Sequence, residues 1–90
     1  MIKTKPLPAK VADFIAVDTV NRMVAWKPNQ EKDVHNYNIY KKSFLGAQKV
    51  STVQGTQWKS DEPKGNLELY VTALDDSGLE SEPSDTVVFK

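Results

Sequence analysis

Apolar and polar residues alternate along most of this chain, and no stretch repeats at the three-to-four-residue interval of a helix. The alternation is clearest in Leu67-Glu68-Leu69-Tyr70-Val71-Thr72-Ala73-Leu74-Asp75, which predicts a long strand over residues 66–75 with Leu67, Leu69, Val71 and Ala73 facing a core. An acidic, Gly-containing run then predicts a hairpin turn, and a last strand is expected over residues 84–89 with Val87 and Phe89 on one side. Earlier strands are predicted at residues 10–18 (Val11, Phe14, Ile15 and Val17, imperfectly alternating) and 22–27, where Val24 and Trp26 share a face. In residues 36–42, Tyr37 and Ile39 share one face while Asn38, Tyr40 and Lys42 share the other. Residues 48–53 read as an edge strand guarded by Lys49, and residues 57–60 as a short strand around Trp58. Turns are expected at Thr19-Val20-Asn21, after Pro28, at 43–46 and at Asp61-Glu62-Pro63-Lys64-Gly65. Seven short strands at roughly ten-residue spacing predict an all-β, two-sheet antiparallel sandwich.

Ninety residues suffice for one domain, expected over residues 9–90, with the Lys/Pro-rich residues 1–8 as a linker stiffened by its prolines. The chain has no cysteine, so apolar burial must hold the sandwich together. Basic and acidic residues cancel overall but not locally: residues 1–60 carry ten basic and four acidic side chains, residues 61–90 two and eight. Interleaving early and late strands would neutralise most of this asymmetry, leaving the acidic 75–85 segment as a local field. A clustered excess of Lys/Arg is missing, which argues against nucleic-acid binding. No run approaches a membrane span, and no apolar segment of a signal peptide follows the basic N-terminus. Membrane insertion is therefore not expected, and Met1 reads as the start of an excised domain whose targeting signal would lie elsewhere.

The tryptophan closing the second strand (Val24-Ala25-Trp26-Lys27-Pro28), the Tyr37-to-Tyr40 strand and the 67–84 stretch resemble the fibronectin type III domain, particularly its bacterial extracellular version. The resemblance runs from about Pro8 to the C-terminus. It implies an immunoglobulin-like sandwich with strands one, two and five in one sheet and four, three, six and seven in the other. Trp26, Tyr37, Ile39, Leu67, Leu69, Val71 and Ala73 are then the structural core. Two positions depart from the pattern: Leu67 stands where a corner-forming tyrosine is usual, and Arg22 where an inward apolar residue is usual. The family also implies a non-catalytic, monomeric module of a cell-surface or secreted protein, acting as spacer and interaction surface.

Catalysis would need a nucleophile, base and orienter, or paired carboxylates in a pocket. The one histidine, His35, sits at a loop-to-strand junction with no motif around it, so neither an enzyme nor a cofactor is expected. The carboxylates Asp75, Asp76, Glu80, Glu82 and Asp85 match no calcium-loop spacing and read as a solvated hairpin tip, so no metal site is assigned. An Arg-Gly-Asp tripeptide is absent, which excludes integrin binding by that route. Tyr40 and Tyr70 share outward parity on strands expected to pair, flanked by Asn38, Lys42, Glu68 and Thr72. Two adjacent aromatics on an open sheet would make a flat patch for a partner domain or sugar ring, or simply a stabilising cross-strand pair. Trp58 would extend that patch or plug one end of the core. The Trp26-to-Val34 segment, with Lys27, Pro28, Lys32 and Asp33, resembles the corresponding stretch of repeats in bacterial adhesins, some of which bind host extracellular-matrix protein. Two settings compete for such a module: a surface adhesin engaging host matrix, towards which the Trp26-to-Val34 segment tilts the reading, and an accessory or linker module of a secreted carbohydrate-active enzyme. Expected partners are therefore neighbouring domains, and a host matrix protein or carbohydrate.

Overall fold

The computed structural model describes residues 5–90, and within them every strand belongs to one of two antiparallel sheets. Strands β1 (Ile15–Asp18), β2 (Met23–Ala25) and β5 (Gln57–Lys59) form the first, in the order β1-β2-β5. Strands β3 (Val34–Ser43), β4 (Gly46–Gln54), β6 (Leu67–Asp75) and β7 (Val87–Phe89) form the second, in the order β4-β3-β6-β7. This is the partition that the fibronectin type III resemblance implies. No helix is present among the described residues, so none is long and apolar enough to cross a membrane. Part of the predicted linker, residues 1–4, lies outside the described residues. Its remainder is not detached, for Pro8 is buried and Lys5 pairs with Asp33 and Asp75.

Period-two burial builds the core between the sheets. Tyr37 and Ile39 of β3 and Leu67, Leu69, Val71 and Ala73 of β6 are buried, and Val24 and Trp26 approach them from the first sheet. Each large apolar side chain removed from water stabilises the fold by about 1.5–3 kcal/mol. Trp26 is the hub: its ring lies 6.0 Å from that of Phe14 and 5.5 Å, edge-on, from that of Tyr37. The Tyr37 hydroxyl accepts the Asn29 backbone N–H at 2.8 Å, fixing the loop after β2 to the core. Trp58 is half-buried and packs against one side of this cluster, so it belongs to the core margin and not to the outer face of the four-stranded sheet.

Three elements differ from expectation, each for a physical reason. The predicted first strand over residues 10–18 shrinks to four residues. Val11 and Phe14 are both buried although three apart, which a strand's alternation forbids, and Asp13 in the left-handed region (φ 59°) supplies the break. The second strand begins after Arg22, also left-handed (φ 55°), whose buried guanidinium lies 5.9 Å over the Phe89 ring and donates to the Glu62 carbonyl at 3.2 Å. An arginine thus fills an inward position by stacking its cation on an aromatic ring and satisfying a donor. The last strand is three residues long instead of six, because residues 80–86 run beside β6 without joining the ladder in the ordinary way.

Candidate functional site

The irregular 80–86 segment is held to β6 by two serines. The Ser81 N–H donates to the Ala73 carbonyl and its Oγ accepts the Ala73 N–H, both at 2.9 Å. Ser84 repeats the arrangement at Val71, with distances of 3.0 and 2.9 Å. Each hydroxyl then donates to the carbonyl of the next residue, Glu82 or Asp85. Partners two apart on β6 are met by residues three apart on the segment, so one residue is extra; Pro83, which has no N–H, stands between the serines.

This clip swings Glu80 over the outer face of the four-stranded sheet. Its Oε2 accepts the Thr72 hydroxyl at 2.6 Å and the Tyr40 hydroxyl at 2.7 Å. Burial alone would raise the Glu80 carboxyl, but these hydrogen bonds outweigh it and hold the group below its ordinary value. Burial, reinforced by the Glu80 carboxylate, pushes the Tyr40 phenol up to about 12. Beside them Asn38 is buried, its Oδ1 accepting the Thr52 hydroxyl at 2.6 Å. The expectation that Thr72 and Asn38 line an exposed face is therefore corrected: they have the outward parity but lie under a polar lid made by Glu80 and Thr52.

Tyr40 and Tyr70 are cross-strand partners, both half-buried, with ring centroids 4.9 Å apart and planes 14° from parallel. Near-parallel rings at this separation are offset-stacked, each partly covering one face of the other. The expected adjacency of the two tyrosines on the outer side of the sheet is present, as a stacked pair and not as two rings laid flat side by side. Tyr40 is further committed to Glu80. Lys42 is exposed and paired with Glu68 at 3.3 Å.

At one end of the sandwich, Lys27 and Pro28 are exposed and line an open cleft of about 490 Å³ with Ala9, Ala12, Asn29 and Glu31. Lys32 is exposed and outside it. Asp33 is engaged by Lys5 at 2.5 Å, and the same ammonium lies 3.3 Å from Asp75. The expected solvated acidic tip is corrected in part: Asp76, Glu82 and Asp85 are exposed, but Glu80 is half-buried and Asp75 buried. The side chain of Asp75 is 2% exposed and its Oδ1 accepts the N–H groups of Ser77 and Leu79. Burial opposes ionisation of Asp75, but those donors and Lys5 hold its carboxyl below the ordinary value. Among the described residues no three His, Asp or Glu side chains converge as metal ligands, and His35 is exposed, 3.8 Å from Asp76. The serine clip, Glu80 and an exposed Phe44-Leu45 tip escaped the sequence reading. For the tip a signal existed, since two bulky apolar residues sit inside a turn bounded by Ser43 and Gly46.

Seven strands in a three-plus-four antiparallel sandwich define an immunoglobulin-like module. Solved structures narrow it: the chain has the fold of a fibronectin type III domain. It is similar to the fibronectin type III domain of human fibronectin type III domain containing protein 3, at 15% identity and TM-score 0.76 over 97% of this chain and 88% of that one. It is also similar to part of the Endo-D glycoside hydrolase domain structure from Streptococcus pneumoniae, at 23% identity and TM-score 0.74 over 97% of this chain and 16% of that one. A third likeness is to the spore cortex lytic enzyme SleM of Clostridium perfringens, at 22% identity and TM-score 0.73 over 92% of this chain and 28% of that one. The chain thus spans under a third of the length of either enzyme structure. No family model and no curated sequence matches it.

Proposed function

We propose that the chain is a non-catalytic, monomeric module of a longer bacterial exported protein, spacing neighbouring domains and offering the outer face of the four-stranded sheet to a partner. The observation that carries this is the stacked Tyr40–Tyr70 pair, half-exposed on the outer face of the four-stranded sheet beside the Glu80–Thr72 hydrogen bond. Tyr40 is the anchored member, tied to Glu80, and Tyr70 the one free to meet a ligand. An aromatic ring with one open face suits a carbohydrate ring or an apolar protein side chain.

Of the two settings such a module has, accessory unit of a secreted carbohydrate-active enzyme is favoured over adhesion to host matrix. Two chains that share the fold are glycoside hydrolase and cortex lytic enzyme structures, of which a domain this size is a small part. The adhesion reading draws on the Trp26-to-Val34 segment, where Lys27, Pro28 and Lys32 are exposed but Asp33 is already paired with Lys5. The test is Tyr70→Ser, which leaves the Glu80 hydrogen bonds in place. Retention of the module on insoluble cell-wall polysaccharide should drop, with the stability read from a urea titration lowered by no more than the ~0.2–1 kcal/mol of a cross-strand pair. Retention equal to wild type would reduce the tyrosines to a sheet-stabilising pair. Loss of binding to immobilised matrix protein instead would restore the adhesion setting.

A further inference from the structure

Residues 5–10 belong to neither sheet, and among the described residues no backbone-to-backbone hydrogen bond ties them to the sandwich. Pro6 and Pro8 have no N–H to offer. What holds the segment is side chains. The Ala9 N–H donates to Glu31 Oε2 at 2.5 Å and its carbonyl accepts Asn29 Nδ2 at 2.8 Å, beside the buried Pro8. Lys10 pairs with Asp85 at 3.2 Å, a contact exposed on both sides that holds little. From residue 11 the chain is anchored, for Val11 lies in the core and the Ala12 carbonyl accepts the Lys27 N–H.

The far end is fastened by one ammonium. Lys5 Nζ lies 2.5 Å from Asp33 Oδ2 and 3.3 Å from Asp75 Oδ2, and it donates to Ser77 Oγ at 3.0 Å. These oxygens come from the loop before β3, the last residue of β6 and the turn after it, so a single side chain staples the segment to two elements. Asp33 is open to solvent, but the Asp75 side chain is 2% exposed, and its pull on the ammonium is screened less than that of an ordinary surface pair. The same segment shapes the cleft at this end: Ala9 and Lys10 stand on one side of its 490 Å³, residues 27–31 on the other.

We propose that residues 5–10 form a strap latched by the charge of Lys5, which lifts about the anchor at Val11 when the ammonium leaves its three-oxygen socket and takes one wall of the cleft with it. Both sheets stay closed when it lifts, because none of its fasteners belongs to the core cluster. Lys5 is the latch because little else remains without it. The Ala9 hydrogen bonds and the exposed Lys10–Asp85 pair would then hold a segment that its two prolines keep extended. Release of a short segment by loss of one charged contact is a general mode of switching. The cleft is thus conditional, present while the strap is down.

The test is amide hydrogen exchange on the 90-residue chain carrying Lys5→Gln or Lys5→Arg. Lys5→Gln should speed exchange of the Ala9 N–H by about tenfold or more, while amides beyond the anchor keep their wild-type rates: Lys27, held by Ala12, and Val71 and Ala73 of β6. Lys5→Arg keeps the charge and should stay within about twofold of wild type at Ala9. Asp33→Asn should move Ala9 in the same direction as Lys5→Gln, and combining the two should add nothing, since both cut one latch. Equal Ala9 rates in wild type and Lys5→Gln overturn the proposal. So does Lys5→Arg behaving like Lys5→Gln, because charge would not then be the latch. Faster exchange at Lys27, Val71 and Ala73 in step with Ala9 overturns it too, for Lys5 would then stabilise the whole sandwich and no separable strap.

Discussion

At the scale of single residues, Trp26 concentrates the fold's dependence on one side chain. Replacing it with alanine removes a ring packed against Phe14 and Tyr37 and should cost about 3–5 kcal/mol in a urea titration. Its indole N–H is buried with no acceptor, so Trp26→Phe should cost distinctly less than Trp26→Ala: it keeps an aromatic and removes an unpaired donor. Equal losses would mean that the cavity and the donor have been misjudged. Trp26 was legible in the sequence as an inward residue, because its parity matches Val24 and Pro28 ends its strand. Arg22 was legible only as an anomaly. Nothing in its neighbours announces that Phe89, sixty-seven positions later, will lie under its guanidinium.

At the scale of elements, the strands were readable wherever one face is buried and one is wet, because alternation then records the geometry directly. β6 is the clear case. Its neighbour 80–86 was not readable, since its pairing runs through serine hydroxyls and carries no alternation for a pattern to detect. The outer face of β3 and β6 failed for a related reason: parity says which way Thr72 and Asn38 point, but not that Glu80 and Thr52 will cover them. Ser81→Ala and Ser84→Ala each leave a buried β6 N–H without its acceptor. Each should destabilise by about 1–3 kcal/mol and speed amide exchange at Ala73 or Val71 respectively. A surface-like change within about 0.5 kcal/mol would show that water replaces the hydroxyl.

For the molecule as a whole, Asp75 and Glu80 make its stability sensitive to acid. Both carboxyls are depressed in the fold, so they bind protons less readily folded than unfolded. The stability they confer is complete above the ordinary carboxylate range, about pH 4, and is lost as pH falls through the lower folded values. The melting temperature should therefore drop on acidification below about pH 4, and Glu80→Gln should make that drop shallower. Added calcium should leave the melting temperature unchanged at neutral pH, because Asp75 is already occupied by N–H donors and Lys5; a clear rise would reveal a site on the native state. The opposite placement of the chain's two described ends has a mechanical consequence. Lys5 is fastened near Asp33 and Asp75, whereas Lys90 leaves beyond Leu67 and Phe89, at the far end of β6. A pull between these points runs lengthwise along the strands, so the hydrogen bonds joining β7 to β6 are loaded together in shear, instead of opening one by one like a zip. The two serine clips come next along the same line of force, so they add a second line of resistance behind the β7 ladder.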